Sequence, residues 1–235
     1  MLAVPLLLGI AASRPGPGHL LLAATAVSGY LVSATAQTWL RSRRSRSYRA
    51  PVLAYAAAFL VLGAVLVLAW PLLLAGLVVL LPTAALTAAG ARPGSPRDLV
   101  NSLAQVAQAV VLVPAAAIVA GAVDAERVAA ATVIAAVYLV GTVLVVRSVI
   151  RERGHASFAG VSIAFHVVAT VVAGLLLPVA WTLLGGGLAV RAAALPLLQP
   201  RWAGTSHPLR PIHVGMLEIV ASVALVIVAF VVPPR

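Results

Sequence analysis

The chain has no cysteine and no lysine, and only 5 of its 235 residues are acidic. The missing thiols exclude a disulfide scaffold, thiolate metal sites and cysteine nucleophiles. All 16 basic residues are arginine, which reads as the codon bias of a GC-rich genome. Charged residues make up 9% of the chain and hydrophobic residues 63%. A soluble domain is nearer ~25% charged and ~45–50% apolar, and so little polar sequence leaves no room for one here. Charge is absent altogether from Ala50 to Gly90, 41 residues, and from His155 to Val190, 36 residues. As single helices at ~1.5 Å per residue these runs would reach about 60 and 54 Å, well beyond a ~30 Å hydrocarbon core. Each must turn back, and each carries a proline where the turn should fall, Pro71 after Trp70 and Pro178.

What is present reads as nine apolar spans: Met1–Ser13, His19–Leu40, Ala50–Ala69, Pro71–Ala89, Asp98–Gly121, Arg127–Val146, Ser157–Leu177, Pro178–Leu195 and Val214–Val232. Most approach the ~20 residues a crossing helix needs, and the first falls short. Met1–Ser13 lacks the basic start and the small-x-small cleavage site of a signal peptide. Gln199–His213, rich in proline and polar residues, reads as the one sizeable loop. The whole of 1–235 is expected to form a single transmembrane helical domain.

The net charge of +11 sits in short connections between apolar spans, so membrane orientation explains it better than nucleic acid. Arg41, Arg43, Arg44, Arg46 and Arg49 follow span two, Arg92 and Arg97 follow span four, Arg147, Arg151 and Arg153 follow span six, and Arg191, near the end of span eight, counts with Arg201 and Arg210 in the connection between spans eight and nine. Only Arg14, Arg127 and Arg235 fall on the other side. The positive-inside rule makes the arginine-rich side cytoplasmic. The N-terminus is then inside and the C-terminus outside, which an odd number of spans requires.

Polar residues inside the spans fall on helical stripes. Tyr30, Ser33, Gln37, Arg41 and Arg44 share one face of span two, and Asp98, Asn101, Gln105 and Gln108 share one of span five. Ser162, His166 and Thr170 align on span seven, as do Glu218 and Ser222 on span nine. Hydrogen bonding between helices accounts for isolated Ser and Thr, each bond being worth about 0.6 kcal/mol. Four polar side chains on one face exceed what packing needs, and such groups face a bundle interior or a cavity. A lone histidine such as His166 is more often a satisfied core residue than a ligand. The 5 histidines are scattered, with no paired i,i+4 arrangement for a metal. The Arg41–Arg49 cluster suits a topology signal and an anionic-lipid contact, or a phosphate clamp, because guanidinium forks bind such groups bidentately. In VRSVIRERG, Arg147 and Arg151 are i,i+4 neighbours that repel unless an anion lies between them. Glu152 does not share their face, so Glu218, Asp98 or a ligand is expected to supply it.

On these residues the chain resembles the YwiC-like family of bacterial integral membrane proteins. The matching segments are VPLLLG at Val4–Gly9, YRAPVLAY at Tyr48–Tyr55, DLVNSLA at Asp98–Ala104, YLVGTVLVVRSVIRERG at Tyr138–Gly154, SIAFH at Ser162–His166 and RPIHVGMLEI at Arg210–Ile219. The resemblance implies a bacterial cytoplasmic (inner) membrane protein and no particular chemistry. Family members carry a basic stretch and a His-Gly-Ala-Trp segment ahead of this Val-Pro-Leu-Leu-Leu-Gly, so the native product is expected to begin upstream of Met1. A second, weaker likeness is to UbiA-type prenyltransferases, nine-helix enzymes whose Asp-rich loops after helices two and six hold Mg²⁺ and a prenyl diphosphate. Here those loops carry arginine, and Asp98 and Asp124 are the only aspartates. The carboxylates that would hold Mg²⁺ are missing.

The expected fold is therefore an all-α polytopic transmembrane bundle of about nine spans, N-in and C-out, UbiA-like in outline. A polar cavity facing the cytoplasm is expected between spans two, five, six and nine. Its candidate ligand-binding residues are Gln37, Arg41, Arg44, Asp98, Asn101, Gln105, Arg147, Arg151, Glu152, His166 and Glu218. No catalytic residue, metal or cofactor is expected. The partners are the lipid bilayer and an anionic lipid or small molecule, and nucleic acid is excluded. Binding or transport of an anionic or amphipathic small molecule is the leading reading. The alternative is a divergent membrane transferase acting on an isoprenoid or lipid phosphate.

Overall fold

A computed structural model describes residues 2–43, 45–91, 98–121, 124–203 and 211–233. Among them there is no strand. The helices are α1 (Ala3–Ala12), α2 (Gly18–Arg41), α3 (Arg49–Ala69), α4 (Leu77–Gly90), α5 (Leu99–Val110), α6 (Leu112–Ala120), α7 (Ala125–Ile150), α8 (Ala156–Leu176), α9 (Val179–Ala203) and α10 (Pro211–Val231). Short 3₁₀ turns at Arg46–Tyr48 and Pro71–Gly76 lead into α3 and α4. Counting α5 with α6 and each 3₁₀ turn with its helix, the described residues contain 8 helices long and apolar enough to cross a membrane. α1, at 10 residues, is a shorter apolar helix.

Both expected proline turns are present. Trp70, at φ −134° and ψ 78°, ends α3 before Pro71, and Leu177, at φ −124° and ψ 160°, ends α8 before Pro178. Each residue is pushed out of the helical region by the ring that follows it. Between α5 and α6 the helix is interrupted at Val111. Pro114 has no N–H to offer the Val110 carbonyl one turn back.

The chain divides into two compact units, Met1–Ala136 and Val137–Arg235, with the boundary inside α7. In the first unit α1 packs on α6, α2 on α3 and α6, and α5 along α4. The α1–α6 approach is close because the crossing uses small residues: a Cβ at Gly9 would lie 2.7 Å from both the Ala116 Cβ and the Val113 carbonyl. His19 fastens the start of α2 to α6, its Nε2 standing 3.0 Å from the Ala116 carbonyl and its Nδ1 against Gly16. In the second unit Val145 and Val149 of α7 meet Ala192 and Leu195 of α9 and Val214 of α10 in an apolar core. Two long-range bonds close its ends. The Trp181 indole donates to the Val232 carbonyl at 2.9 Å, and the Gln199 amide donates to the Val149 carbonyl at 2.6 Å.

Large apolar side chains cover the outside of α3, α4, α8 and α10. Leu68 is 83% exposed, Val78 79% and Leu175 78%. Water would penalise such a surface by roughly 25 cal/mol per Å², whereas lipid matches it.

The expected Gln199–His213 loop is helical at both ends: Gln199–Ala203 is the last turn of α9 and Pro211–His213 the start of α10, while 204–210 lie outside the described residues. Gln199 is drawn into the helix because its amide reaches α7, which gives that buried polar group a partner.

Candidate functional site

The second unit holds an ion pair inside its apolar helices. Arg191 lies near the middle of α9, and Glu218 lies about 10 Å into α10 from Pro211 at ~1.5 Å per residue. Arg191 Nη1 donates to Glu218 Oε1 at 2.6 Å, and the two side chains are only 11% and 14% exposed. Thr142 Oγ1 donates to the other carboxylate oxygen, Oε2, at 3.0 Å. Tyr138, one turn earlier on α7, bonds the Ser222 hydroxyl at 2.8 Å and donates to the Glu218 carbonyl at 3.4 Å. Three helices thus contribute to one cluster. The spacing explains why: Tyr138, Thr142, Val145 and Val149 share a face of α7, and Val214, Glu218, Ala221 and Leu225 share one of α10. The polar group therefore stands directly next to the apolar core on the same faces.

His166 belongs beside this cluster. It is buried, its Nδ1 lies 2.7 Å from the Ser162 carbonyl, and its ring rests on α7 at the residue before Thr142. A Cβ at Gly141 would come within 2.8 Å of His166 Nε2, so only glycine leaves room for the imidazole.

At the end of α7, Arg147 pairs with Glu152 at 3.0 Å, and its guanidinium lies 5.9 Å from the Phe158 ring centre. The expectation that Glu152 would miss the Arg147 face assumed a continuing helix. The helix ends at Ile150, the Arg151 and Glu152 amides both bond the Arg147 carbonyl, and Glu152 turns back onto Arg147. Gly154, at φ +84°, completes that reversal in a region that favours glycine. Arg151 is exposed in the same turn.

The remaining candidates lie in the first unit. Gln37 is half-buried and donates to Ser33 on its own helix at 3.1 Å. Arg41 ends α2 with Nε and Nη2 buried and without an acceptor among the described residues. Arg44 lies outside the described residues. Asp98 is exposed and caps α5, accepting from the Asn101 amide at 2.7 Å. Asn101 is buried with its Oδ1 unbonded, against α4 at Gly90. Gln105 on the same stripe is exposed. Among the described residues no group of three His, Asp or Glu side chains could hold a metal ion.

Sequence reasoning missed Arg191, Tyr138 and Thr142 as site residues. The sequence pattern counts Arg191 with a cytoplasmic connection, but it is helical and paired across to α10. Its signal was its position within an apolar run that continues through Leu198.

Lipid-matched helices enclosing a buried ion pair define a polytopic α-helical membrane protein. The family model described as YwiC-like protein matches residues 1–117, and over those residues the chain is similar to the YwiC-like family. The Arg191–Glu218 cluster lies beyond the matched residues. No curated protein and no solved structure matches the chain.

Proposed function

We propose that this protein binds an anionic or amphipathic small molecule and carries it by way of a polar cavity open to the cytoplasm, in the bacterial cytoplasmic membrane. The observation that supports this reading is the Arg191–Glu218 pair with its Tyr138, Thr142 and Ser222 partners. Charged side chains in the membrane interior are costly and mark ligand or ion pathways by default. As a structural device the pair is a poor one, because apolar residues of similar volume would do as well or better. Arg191 also has capacity left. Only its Nη1 bonds Glu218, and its Nε is buried without an acceptor among the described residues. A guanidinium offers a planar fork that fits carboxylate and phosphate groups. Arg41, with its own buried unmatched donors, and Asn101 are the corresponding candidates of the first unit.

The test is to purify the full chain in mild detergent and identify what accompanies it by native mass spectrometry. An anionic or amphipathic molecule should accompany the wild type and be lost from the Arg191→Gln/Glu218→Gln double variant. Equal amounts in both, or nothing in either, would remove the basis for the reading. The arginine distribution also supports a cytoplasmic N-terminus. A cysteine at Ser45, clean because the chain has none, should resist an impermeant thiol reagent added from outside.

A further inference from the structure

We infer that the Arg191–Glu218 site takes a singly charged, one-headed amphipathic anion together with one proton, and that the proton goes to Glu218. The inference rests on the binding reading above and adds its charge chemistry. As it stands the cluster is neutral, one guanidinium against one carboxylate at 2.6 Å. An anion that takes Arg191 from Glu218 leaves two negative charges facing one positive charge among apolar helices. Burying the surplus charge is prohibitive, and such a group neutralises instead. The site stays neutral if a proton arrives with the anion. The bond from Arg191 Nη1 to Oε1 breaks, a bond from Arg191 to the anion forms, and the proton occupies Oε1. Oε2 keeps the hydrogen bond from Thr142 throughout. A dianion would need a second proton acceptor or a second cation.

The amphipathic character follows from the surroundings. By helical spacing the residues beside the pair on α9 and α10 are Ala192, Leu195, Val214 and Ala221, all buried and apolar, so the body of the ligand would meet hydrocarbon and a second charged head would find no partner among them. The other polar groups of this unit near the pair are Tyr138 and Thr142 on α7, Ser222 on α10 and His166 on α8. His166 is the rival proton acceptor, with Nδ1 at the Ser162 carbonyl and Nε2 against Gly141.

The experiment follows the thermal midpoint of the purified full chain with octanoate, a monoanion, and suberate, a dianion of equal carbon number, between about pH 6 and pH 8, where both stay ionised. Octanoate should raise the midpoint, and the concentration giving half the rise should increase by up to about tenfold per pH unit, the slope of one linked proton. Suberate should need at least ~10 times more, since ~1.4 kcal/mol of uncompensated charge already costs that factor. Glu218→Gln, which mimics the protonated acid, should still respond to octanoate with no pH slope. His166→Gln should keep the slope. The Arg191→Gln/Glu218→Gln double variant, with both charges removed so that it can fold, should not respond. A slope that survives in Glu218→Gln, or suberate matching octanoate, overturns the proton linkage and leaves anion binding standing. Octanoate acting equally on the double variant, or not at all on the wild type, overturns the site itself, while a co-purifying molecule would keep the broader binding reading alive.

Discussion

In the first unit Gln37 bonds Ser33 on its own helix, Asp98 caps its own helix, and the Thr25, Thr35 and Thr38 hydroxyls return to carbonyls one turn back. In the second unit Tyr138, Thr142, Arg191, Glu218 and Ser222 reach one another from three different helices. Both units present polar residues at helical spacing, so spacing alone does not separate them. The partner does. A polar side chain satisfied within its own turn asks nothing of the neighbouring helix, whereas His19 in the first unit does reach across, with its Nε2 beside the Ala116 carbonyl. A side chain satisfied only across helices couples its function to how those helices pack.

The largest effect expected from this difference is in the ion pair. Glu218→Ala should destabilise by about 3–5 kcal/mol, because it strands a buried guanidinium. The Arg191→Gln/Glu218→Gln double variant should recover most of that loss, as read by thermal midpoint in detergent. If single and double variants lose equally, the two charges are not coupled and the contrast between the units fails.

Next comes Gly9→Leu, the sharpest test that the first unit relies on backbone approach instead of polar contacts. Its Cβ would meet α6 backbone at 2.7 Å, and overpacking of this kind costs about 1–3 kcal/mol. A comparable loss in the second unit is expected from Gly141→Ala, which displaces His166. Combining it with His166→Ala should give a coupling of about 0.5–3 kcal/mol in a double-mutant cycle, and simple additivity would mean the ring is free to swing away. Asp98→Ala should cost only about 1 kcal/mol, the usual worth of an N-cap. Gln37→Ala should be smaller still, about 0.6 kcal/mol or less. A large loss at Gln37 would mean that the first unit also has a cross-helix site.

Much of the architecture was legible in the chain. Uncharged runs too long for one helix forced a turn, and Trp70-Pro71 and Leu177-Pro178 supplied it, because a proline ring disfavours the helical region for the residue before it. Glu218 and Ser222 were readable as one face of one helix. Their partners were not, since periodicity reports which residues share a side and says nothing about what stands opposite. Arg191 was hidden by its company: among connecting arginines it counted toward orientation, although its flanks are apolar on both sides. Glu152 failed for a different reason, because α7 ends at Ile150 and the chain then folds back onto Arg147. Asp98 was available as a cap, an aspartate just ahead of an apolar run, yet its place on the Asn101–Gln105 stripe drew attention to burial.

The bond from Trp181 to Val232 also makes the second unit optically self-reporting. The indole is 4% exposed and holds the beginning of α9 to the end of α10, the two helices that carry Arg191 and Glu218. Parting them would bring water to the ring, so the fluorescence colour of a variant keeping Trp181 alone would follow the opening of the pair without any added label.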